Sequence, residues 1–225
     1  MLQPDQIYLI DKPLHWTSFD VVKFVKRHLQ QHFKKKIKVG HAGTLDPLAT
    51  GLLIVCTGKK TKEITKLTPH SKTYTGTIEI GKTTPSFDLE TAFDQINGYS
   101  SITVQDILNV AKDFTGQYLQ TPPIYSAKRV DGKRSYELAR KNQNPDLKPV
   151  EVHIHSFEIT RMALPEIDFI VEVSKGTYIR SLAHDFGQKL GCGAYLKSLR
   201  RIAIGQFNIE NTLTPSQWAE QFNTP

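Results

Sequence analysis

The spacing of apolar side chains predicts several helices in this 225-residue chain. The expected helices are residues 18–33, 104–114 and 178–190, a short one at 135–140 and a terminal one that begins at Thr214-Pro215. Ser18 is the expected N-cap of the first helix. Thr103 and Asp106 form a capping-box pattern before the second, and Gly191 suits the C-cap of the third. The capping signals therefore agree with the apolar spacing about where these helices begin or end.

Alternating or continuous apolar residues predict strands among these helices. The expected strands are residues 7–10, 52–56, 73–80, 150–160, 167–174 and 202–209. Strands and helices interleave irregularly, and several strands follow one another directly, which favours an α+β fold with a mixed, largely antiparallel sheet. No internal repeat or low-complexity linker is visible, so residues 1–225 are expected to form a single domain.

The charge balance is strongly basic, with a net charge of +7 and a pI near 9.3. This favours an anionic partner, and nucleic acid comes first among such partners. A solvated basic surface is about as consistent with the charge alone. The first helix carries Lys23, Lys26, Arg27 and His28 on its polar face, and lysines follow at 34–36 and 38. These lysines fit phosphate contacts and a solvated loop equally well.

The two cysteines, Cys56 and Cys192, are far apart, and neither belongs to a CxxC pair. This argues against a disulfide framework and a structural zinc site, and favours the reducing cytoplasm. No secretory signal or membrane-spanning apolar run is visible, so no membrane partner is expected. The chain also lacks the P-loop, HExxH, GxGxxG and GxSxG motifs. The expected chemistry therefore uses neither a cofactor nor a metal.

One carboxylate, Asp46, lies in a loop otherwise built of Gly, Ala, Thr and Leu, within VGHAGTLDPLATGLLIVCTGKK. Its neighbouring glycines permit close approach of a ligand to the backbone, which favours catalysis on a polyanion. Asp46-Pro47 equally fits an N-cap with proline opening a short helical turn at residues 48–50. On local sequence alone the catalytic and capping roles are both open, and they are compatible.

Three further residues carry possible chemistry. His41 is either a structural histidine or an aromatic that stacks against a base. Tyr74, on a predicted strand, is more typical of a core position. Arg180 lies in the first turn of a predicted helix, where the helix dipole opposes a cation. A carboxylate or a phosphate partner would account for that arginine, and a surface salt bridge is the simpler alternative.

Five ordered sequence blocks resemble the tRNA pseudouridine synthase B family of bacteria, the tRNA pseudouridine-55 synthases. The blocks are DKP with TS (Asp11 to Ser18), GHAGTLDPLATGLLIVCTGKKTK, SKTYTG (Ser71 to Gly76), PPIYSAKRVDGKRSYELAR (Pro122 to Arg140) and SKGTYIRSLAHDFGQKLGCGAYLKSLRR (Ser174 to Arg201). The resemblance implies the pseudouridine synthase fold. It also implies a cofactor-free isomerisation of the T-loop uridine of tRNA, in which the N1–C1′ bond breaks and C5 joins C1′. RNA-binding chaperone activity that does not need the chemistry is the alternative.

The resemblance also implies roles for individual residues. Asp46 matches the catalytic aspartate, and Arg180 matches the arginine that pairs with it. Tyr74 matches the catalytic tyrosine that stacks on the target base and is able to act as a base, and His41 matches the histidine that helps extrude the uridine. Tyr178, Leu199 and Lys72 match further residues of the nucleotide pocket. The implied partner is the T-stem-loop of tRNA.

Three other features follow from the resemblance. The segment of about residues 121–150 corresponds to a loop that closes over the RNA, within the single catalytic domain. His15 stands where the family usually has Gly, so that turn is expected to differ. The chain ends soon after the last expected strand, without a full C-terminal PUA domain. A stand-alone monomer that needs no guide RNA is therefore expected.

Overall fold

The computed structural model describes residues 3–126, 128–130, 132–139, 143 and 145–222. They form two compact units. The first unit contains the described residues of Met1–Tyr74 and Leu199–Pro225, and the second contains those of Thr75–Ser198. The two boundaries between the units, at residues 74/75 and 198/199, each lie within a β-strand.

The strands are β1 (Ile7–Lys12), β2 (Val39–Ala42), β3 (Ala49–Thr57), β4 (Lys72–Ile80), β5 (Lys82–Thr83), β6 (Gln95–Ile96), β7 (Gly116–Gln120), β8 (Arg129–Val130), β9 (Lys133–Arg134), β10 (Val150–Ala163), β11 (Glu166–Val173), β12 (Ala194–Ile204) and β13 (Phe207–Asn208). The α-helices are α1 (Ser18–Phe33), α2 (Ile64–Leu67), α3 (Val104–Asp113), α4 (Ser135–Ala139), α5 (Ile179–Leu190) and α6 (Pro215–Glu220). Short 3₁₀ turns occupy Gly58–Glu63 and Ile209–Asn211. No helix among these residues is long and apolar enough to cross a membrane.

In the first unit, β3 lies between β1 and β12 and also pairs with β2. Its pairing with β1 and β2 is antiparallel, whereas its pairing with the Leu199–Arg201 part of β12 is parallel. Helix α1 buries its apolar stripe against this sheet, and Trp218 of α6 closes the same core. The long runs of buried residues in β3 follow from contact on both of its faces.

In the second unit, the strands are ordered β4, β11, β10 and β7. The β11–β10 and β10–β7 pairings are antiparallel. Phe157 of β10 packs its ring against Phe169 of β11 and Phe186 of α5, so α5 is fixed on the sheet by aromatic contacts. The antiparallel pairs and the interleaved helices confirm the predicted α+β class.

Most predicted elements are confirmed, including the capping box of α3, the start of α6 at Thr214-Pro215 and the Gly191 C-cap of α5. The N-cap prediction for α1 was wrong. Thr17 caps this helix in a capping box with Asp20, and Ser18 is its first helical residue. Threonine at that position accepts the Asp20 amide, which leaves the Ser18 hydroxyl for another partner.

Two strand predictions were too narrow or misplaced. Strand β3 begins at Ala49 rather than residue 52. Strand β12 begins at Ala194 and ends at Ile204, because Gly205 turns the chain with φ +51° before β13. In the segment of about 121–150, α4 confirms the expected short helix. The last residue predicted for it, position 140, and positions 127, 131, 141–142 and 144 lie outside the described residues.

Candidate active site

Arg201 holds the β2 end of the loop that carries Asp46. This Asp46 loop, Gly43–Leu48, connects β2 to β3. The Arg201 side chain is fully buried, with 1% exposure. Its guanidinium donates to the Gly43 carbonyl (Nη2, 3.0 Å), to the Thr44 carbonyl (Nη1, 3.4 Å) and to the Leu52 carbonyl (Nε, 2.8 Å). The planar fork of arginine suits several fixed acceptors at once, so Arg201 fixes where the loop leaves β2.

Ser18 holds the centre of the loop. Its Oγ accepts from the Leu45 amide at 2.8 Å and donates to the Leu45 carbonyl at 3.1 Å. Both residues are buried. The peptide groups on either side of Leu45 are thus held by one side chain, directly before Asp46.

Lys12 and the turn at His15 hold the other end of the loop through Pro47. The Pro47 carbonyl accepts from the His15 amide at 2.8 Å and lies 3.4 Å from Lys12 Nζ. Lys12 Nζ also donates to the carbonyl of Trp16 at 2.6 Å. Burial lowers the pKa of Lys12 to about 8, and the negative charge of Asp46 partly opposes that effect. The ammonium therefore lies within electrostatic reach of the Asp46 carboxylate.

His15 adopts φ +66°, in the left-handed region where Gly is favoured. This backbone conformation explains why Gly is the usual residue at this position in the family that the chain resembles. The His15 backbone takes the strained conformation and still donates to Pro47. The turn at His15 therefore keeps the contact on the Asp46 loop.

The local conformation of Asp46 is a β-turn rather than the start of a helix. The Ala49 amide donates to the Asp46 carbonyl at 3.1 Å, with Pro47 at the second position of the turn. The predicted helical turn at residues 48–50 was wrong, because β3 already begins at Ala49. The backbone of every residue from Gly43 to Pro47 has a hydrogen-bond partner, which fixes the loop that presents the Asp46 side chain.

The first unit also contains four other predicted site residues. His41 lies on β2, two residues before Gly43. Leu199 lies on β12 opposite Ala49, where the loop enters β3. Lys72 is buried and donates to the carbonyls of Thr68 and His70. A Cβ added to Gly43 would lie 3.8 Å from Lys72 Cε, so Lys72 borders the Asp46 loop. Tyr74 is buried on β4, two residues further along.

The surroundings of His41 favour its neutral form. Burial lowers its pKa, and the positive charge of Arg201 lowers it further, with partial opposition from the Gly43 backbone. Histidine is one of the aromatic side chains that stack on RNA bases. The same arginine that fixes the Asp46 loop therefore tunes this histidine.

The second unit contains Tyr178 and Arg180 at the start of α5. Tyr178 is the N-cap residue, and the Gln120 side-chain amide bonds both its amide (2.8 Å) and its carbonyl (3.1 Å). Strand β7, which carries Gln120, thus sets the position at which α5 begins. Of the seven predicted site residues, Tyr178 and Arg180 belong to the second unit, and the other five belong to the first.

Arg180 is buried, with 4% exposure, so the surface salt bridge considered for it was wrong. Its Nε lies 3.6 Å from a carboxylate oxygen of Asp88, whose side chain is 7% exposed. Its Nη1 donates to the Ser86 carbonyl at 3.3 Å. Phe87, between these two partners, takes φ +64° and stacks on His184 of α5 at 3.9 Å. The left-handed residue turns the chain so that Ser86 and Asp88 both reach the guanidinium.

Sequence reasoning missed Arg201, Lys12, Asp88 and the role of Ser18. Lys12 and Arg201 gave only a weak signal, because each lies just outside a predicted strand, 7–10 and 202–209 respectively. A buried cation needs several acceptors or a counter-charge. Asp88 had no such signal, since it lies in an irregular segment without periodicity. Within the described part of the chain, no group of three or more His, Cys, Asp or Glu side chains is arranged to hold a metal.

The sequence matches family models over most of its length. Residues 26–179 match the N-terminal domain of the TruB family of pseudouridylate synthases. Residues 180–223 match the C-terminal domain of tRNA pseudouridylate synthase B. The chain therefore belongs to the TruB family of pseudouridylate synthases, and the predicted family and enzyme class, an isomerase, are confirmed.

Individual relatives carry the same name. The chain is 52% identical to tRNA pseudouridine synthase B of Flavobacterium johnsoniae, over 92% of each chain. It is 48% identical to the protein of that name from Bacteroides fragilis, over 96% of this chain and 93% of the relative. With that of Chloroherpeton thalassium it shares 47% identity, over 97% and 91%.

Solved structures share the fold at lower identity. The chain superposes on a chain of the Cbf5-Nop10-Gar1 complex with a TM-score of 0.73 at 28% identity, and the superposition includes 96% of this chain. A chain of an H/ACA RNP bound to a substrate RNA containing 2′-deoxyuridine gives a TM-score of 0.69 at 26% identity, over 95% of this chain. The chain spans about half of each solved chain, 54% and 52%. The predicted pseudouridine synthase fold is confirmed.

Proposed function

We propose that this chain converts the T-loop uridine of tRNA, position 55, to pseudouridine, with Asp46 as the catalytic carboxylate. The relatives named tRNA pseudouridine synthase B, which the chain matches over nearly its whole length, support tRNA as the substrate. The observation that carries the proposal is the Asp46 loop. Its backbone is bonded at every residue from Gly43 to Pro47, while its central residue is an acid.

A rigid acidic loop suits a reaction whose energetic gain comes from orientation. The proposed reaction breaks the N1–C1′ bond, turns the base and forms a C5–C1′ bond. N1 gains a proton and C5 loses one, so the reaction is redox-neutral and balances without a cofactor. Asp46 acts either as a nucleophile at C1′ or the base, or by assisting removal of the C2′ proton. Holding a reacting group in place is worth several kcal/mol when the geometry is near attack.

The other site residues take the roles that the resemblance implies. Arg180 pairs with the catalytic carboxylate. Tyr74 stacks on the target base, and neutral His41 occupies the gap that the extruded uridine leaves. The remaining pocket residues are Tyr178, Leu199 and Lys72. Extrusion of a stacked base costs a few kcal/mol, which the stacking contacts offset.

The basic face of α1 supports RNA binding outside the reacting nucleotide. Lys23, Lys26 and Arg27 are exposed and line a shallow groove of about 350 Å³ together with Gln30 and Gln31. Exposed cations on one helix face suit phosphates. The segment of about 121–150 is proposed to close over the tRNA within the single catalytic domain. A monomer that acts in the cytoplasm without a guide RNA stays a prediction.

A second function is RNA chaperoning by binding alone, which the basic surface also suits. Replacement of Asp46 by Asn separates the two, because it removes the acid and keeps the size and polarity of the side chain. The assay is incubation with unmodified tRNA transcript, followed by carbodiimide treatment and primer extension to map pseudouridine. Wild type should give a stop at the T-loop uridine, and Asp46→Asn should give none while binding tRNA with unchanged affinity.

A matched control is available in Asp113→Asn. Asp113 is an exposed carboxylate at the end of α3 in the second unit, where it pairs with Lys189. It should keep the T-loop stop. Stops at other uridines only would reject the substrate assignment. Isomerisation by Asp46→Asn at the wild-type rate would reject the catalytic assignment. Refolding activity in a chain that forms no pseudouridine would favour the chaperone.

A further inference from the structure

The Ser18 hydroxyl does not serve the helix to which it belongs. Thr17 accepts the Asp20 amide, and the Asp20 carboxylate bonds the Thr17 amide, so the first turn of α1 already has its cap. Ser18, only 3% exposed, directs its Oγ to Leu45, which lies 27 positions along the chain. The bonds to Leu45 therefore need a reason other than helix capping.

The geometry of this contact fixes two peptide groups at once. One hydroxyl accepts from the amide of Leu45 and donates to the carbonyl of the same residue. That carbonyl belongs to the peptide that joins Leu45 to Asp46. Rotation of this peptide would break one of the two bonds and leave a buried polar group without a partner, which is unfavourable. The direction in which the Asp46 side chain leaves the backbone is thereby restricted.

Other contacts on the loop do not duplicate this restraint. Arg201 bonds the carbonyls of Gly43 and Thr44, and His15 and Lys12 bond that of Pro47. Between them, the described hydrogen bonds to the Leu45 backbone come from Ser18. Ser18 lies at the N-terminus of α1, whose apolar stripe is packed in the core of the first unit. The contact thus ties the residue before Asp46 to a rigid element.

We propose that Ser18 is a positioning residue for the isomerisation, which holds the Leu45–Asp46 peptide so that the Asp46 carboxylate points at the reacting nucleotide. This rests on the proposed function of Asp46. Ser18 does not touch the substrate, so it acts on turnover rather than on tRNA affinity.

The test compares Ser18→Ala with a variant that loses a hydroxyl at the start of another helix. Ser18→Ala removes one oxygen and keeps the helix. Thr103→Ala removes the capping-box threonine of α3 in the second unit, and lowers stability without touching the Asp46 loop. Steady-state kinetics with tRNA transcript are measured below both unfolding midpoints. Ser18→Ala should lower kcat by about tenfold to a hundredfold with KM nearly unchanged, as expected for a misdirected catalytic group. Thr103→Ala should leave both near wild type.

A second measurement does not depend on the chemistry. Hydrogen exchange of the Leu45 amide should be slow in the wild type and faster in Ser18→Ala, and Thr103→Ala should leave it slow. Equal kcat in Ser18→Ala and wild type would overturn the proposal. So would unchanged exchange at Leu45. If Ser18→Ala does not fold, Ser18→Cys, with its weaker hydrogen-bonding group, takes its place with the same expectations.

Failure of the proposed function gives a different pattern. A wild type without isomerisation, or an active Asp46→Asn variant, would reject the catalytic role of Asp46. Faster exchange at Leu45 in Ser18→Ala would then still show that Ser18 holds the loop. An active wild type with an inactive Asp46→Asn variant, combined with normal kcat in Ser18→Ala, would reject the positioning role alone.

Discussion

Replacement of Arg201 by Lys tests how strongly the Asp46 loop depends on its buried cation. The guanidinium reaches three carbonyls, at 2.8, 3.0 and 3.4 Å. A lysine keeps the charge but presents one nitrogen, so about two of these bonds are lost. Hydrogen bonds to a charged group contribute about 1.5–3 kcal/mol each. The expected loss of unfolding free energy is therefore about 3–6 kcal/mol before the lysine relaxes.

The loss of unfolding free energy is measurable as a shift of the thermal unfolding midpoint, Tm. In a chain of this size, 1 kcal/mol shifts Tm by about 2–4 °C, so a net loss near 3 kcal/mol lowers it by about 6–12 °C. The effect on turnover is separate. A displacement of the Asp46 carboxylate by about 1 Å is expected to lower the rate of isomerisation by about a hundredfold, which is about 2.7 kcal/mol in activation free energy.

The assay is single-turnover release of tritium from tRNA labelled at C5 of uridine, because formation of the C5–C1′ bond expels the C5 hydrogen. It is run well below the unfolding midpoint of the variant. Arg200→Lys is the matched control. Arg200 is the preceding residue on β12, and its bidentate pair is with Asp11 instead of the loop carbonyls. A folded Arg201→Lys variant with the wild-type single-turnover rate would refute the account of the loop.

Three other predictions follow from the described contacts. Burial alone would raise the pKa of Glu79, but hydrogen bonds from Lys82 and Lys197 outweigh it and lower the pKa to about 2. The Glu79 carboxylate therefore contributes about 3 kcal/mol to the free energy of unfolding above its unfolded-state pKa near 4.5, and this contribution is lost as the pH falls towards 2. Urea unfolding at several pH values should show that Glu79→Gln makes stability less dependent on pH in the acid range. The same pH dependence in the variant and the wild type would count against this prediction. Asp88→Asn removes the negative charge beside buried Arg180. Single-turnover kinetics should show a rate lower by about tenfold or more, while the tRNA affinity measured by filter binding stays near wild type. Equal losses of rate and affinity would contradict this prediction. Replacing Lys23 and Lys26 on α1 by Gln should reduce the slope of log K against log salt by up to about 1.8, and an unaltered slope would mean that this helix face does not contact phosphate.

The helices illustrate what local sequence is able to predict. Helix α1 follows from its apolar spacing and α3 from a capping box, since both signals act within about four residues. The N-cap of α1 was misassigned by one residue although Thr17 and Asp20 have the same spacing as Thr103 and Asp106, the capping box of α3. That the Ser18 hydroxyl instead bonds Leu45, a distant residue, was not readable from the sequence.

The site shows the same division. Asp46 was singled out by its neutral, glycine-rich surroundings and Arg180 by its unfavourable place in the first turn of a helix, and the family resemblance supplied the roles of both. The need for a carboxylate or a phosphate near Arg180 was readable from the sequence, whereas the presence of Asp88 beside it was not. Asp88 lies in a segment without periodicity, and only the packing of that segment on α5 brings its carboxylate to the guanidinium.

The sequence by itself determined the α+β class, the long helices, the family and the acid on which the proposed reaction depends. It did so because capping, periodicity and motif spacing are properties of neighbouring residues. Only the tertiary structure decided how that acid is held. Arg201 bonds carbonyls at Leu52 and Gly43, 149 and 158 positions away. Backbone carbonyls are alike in every residue, so no sequence pattern says which of them a buried arginine will bind until the strands are in register.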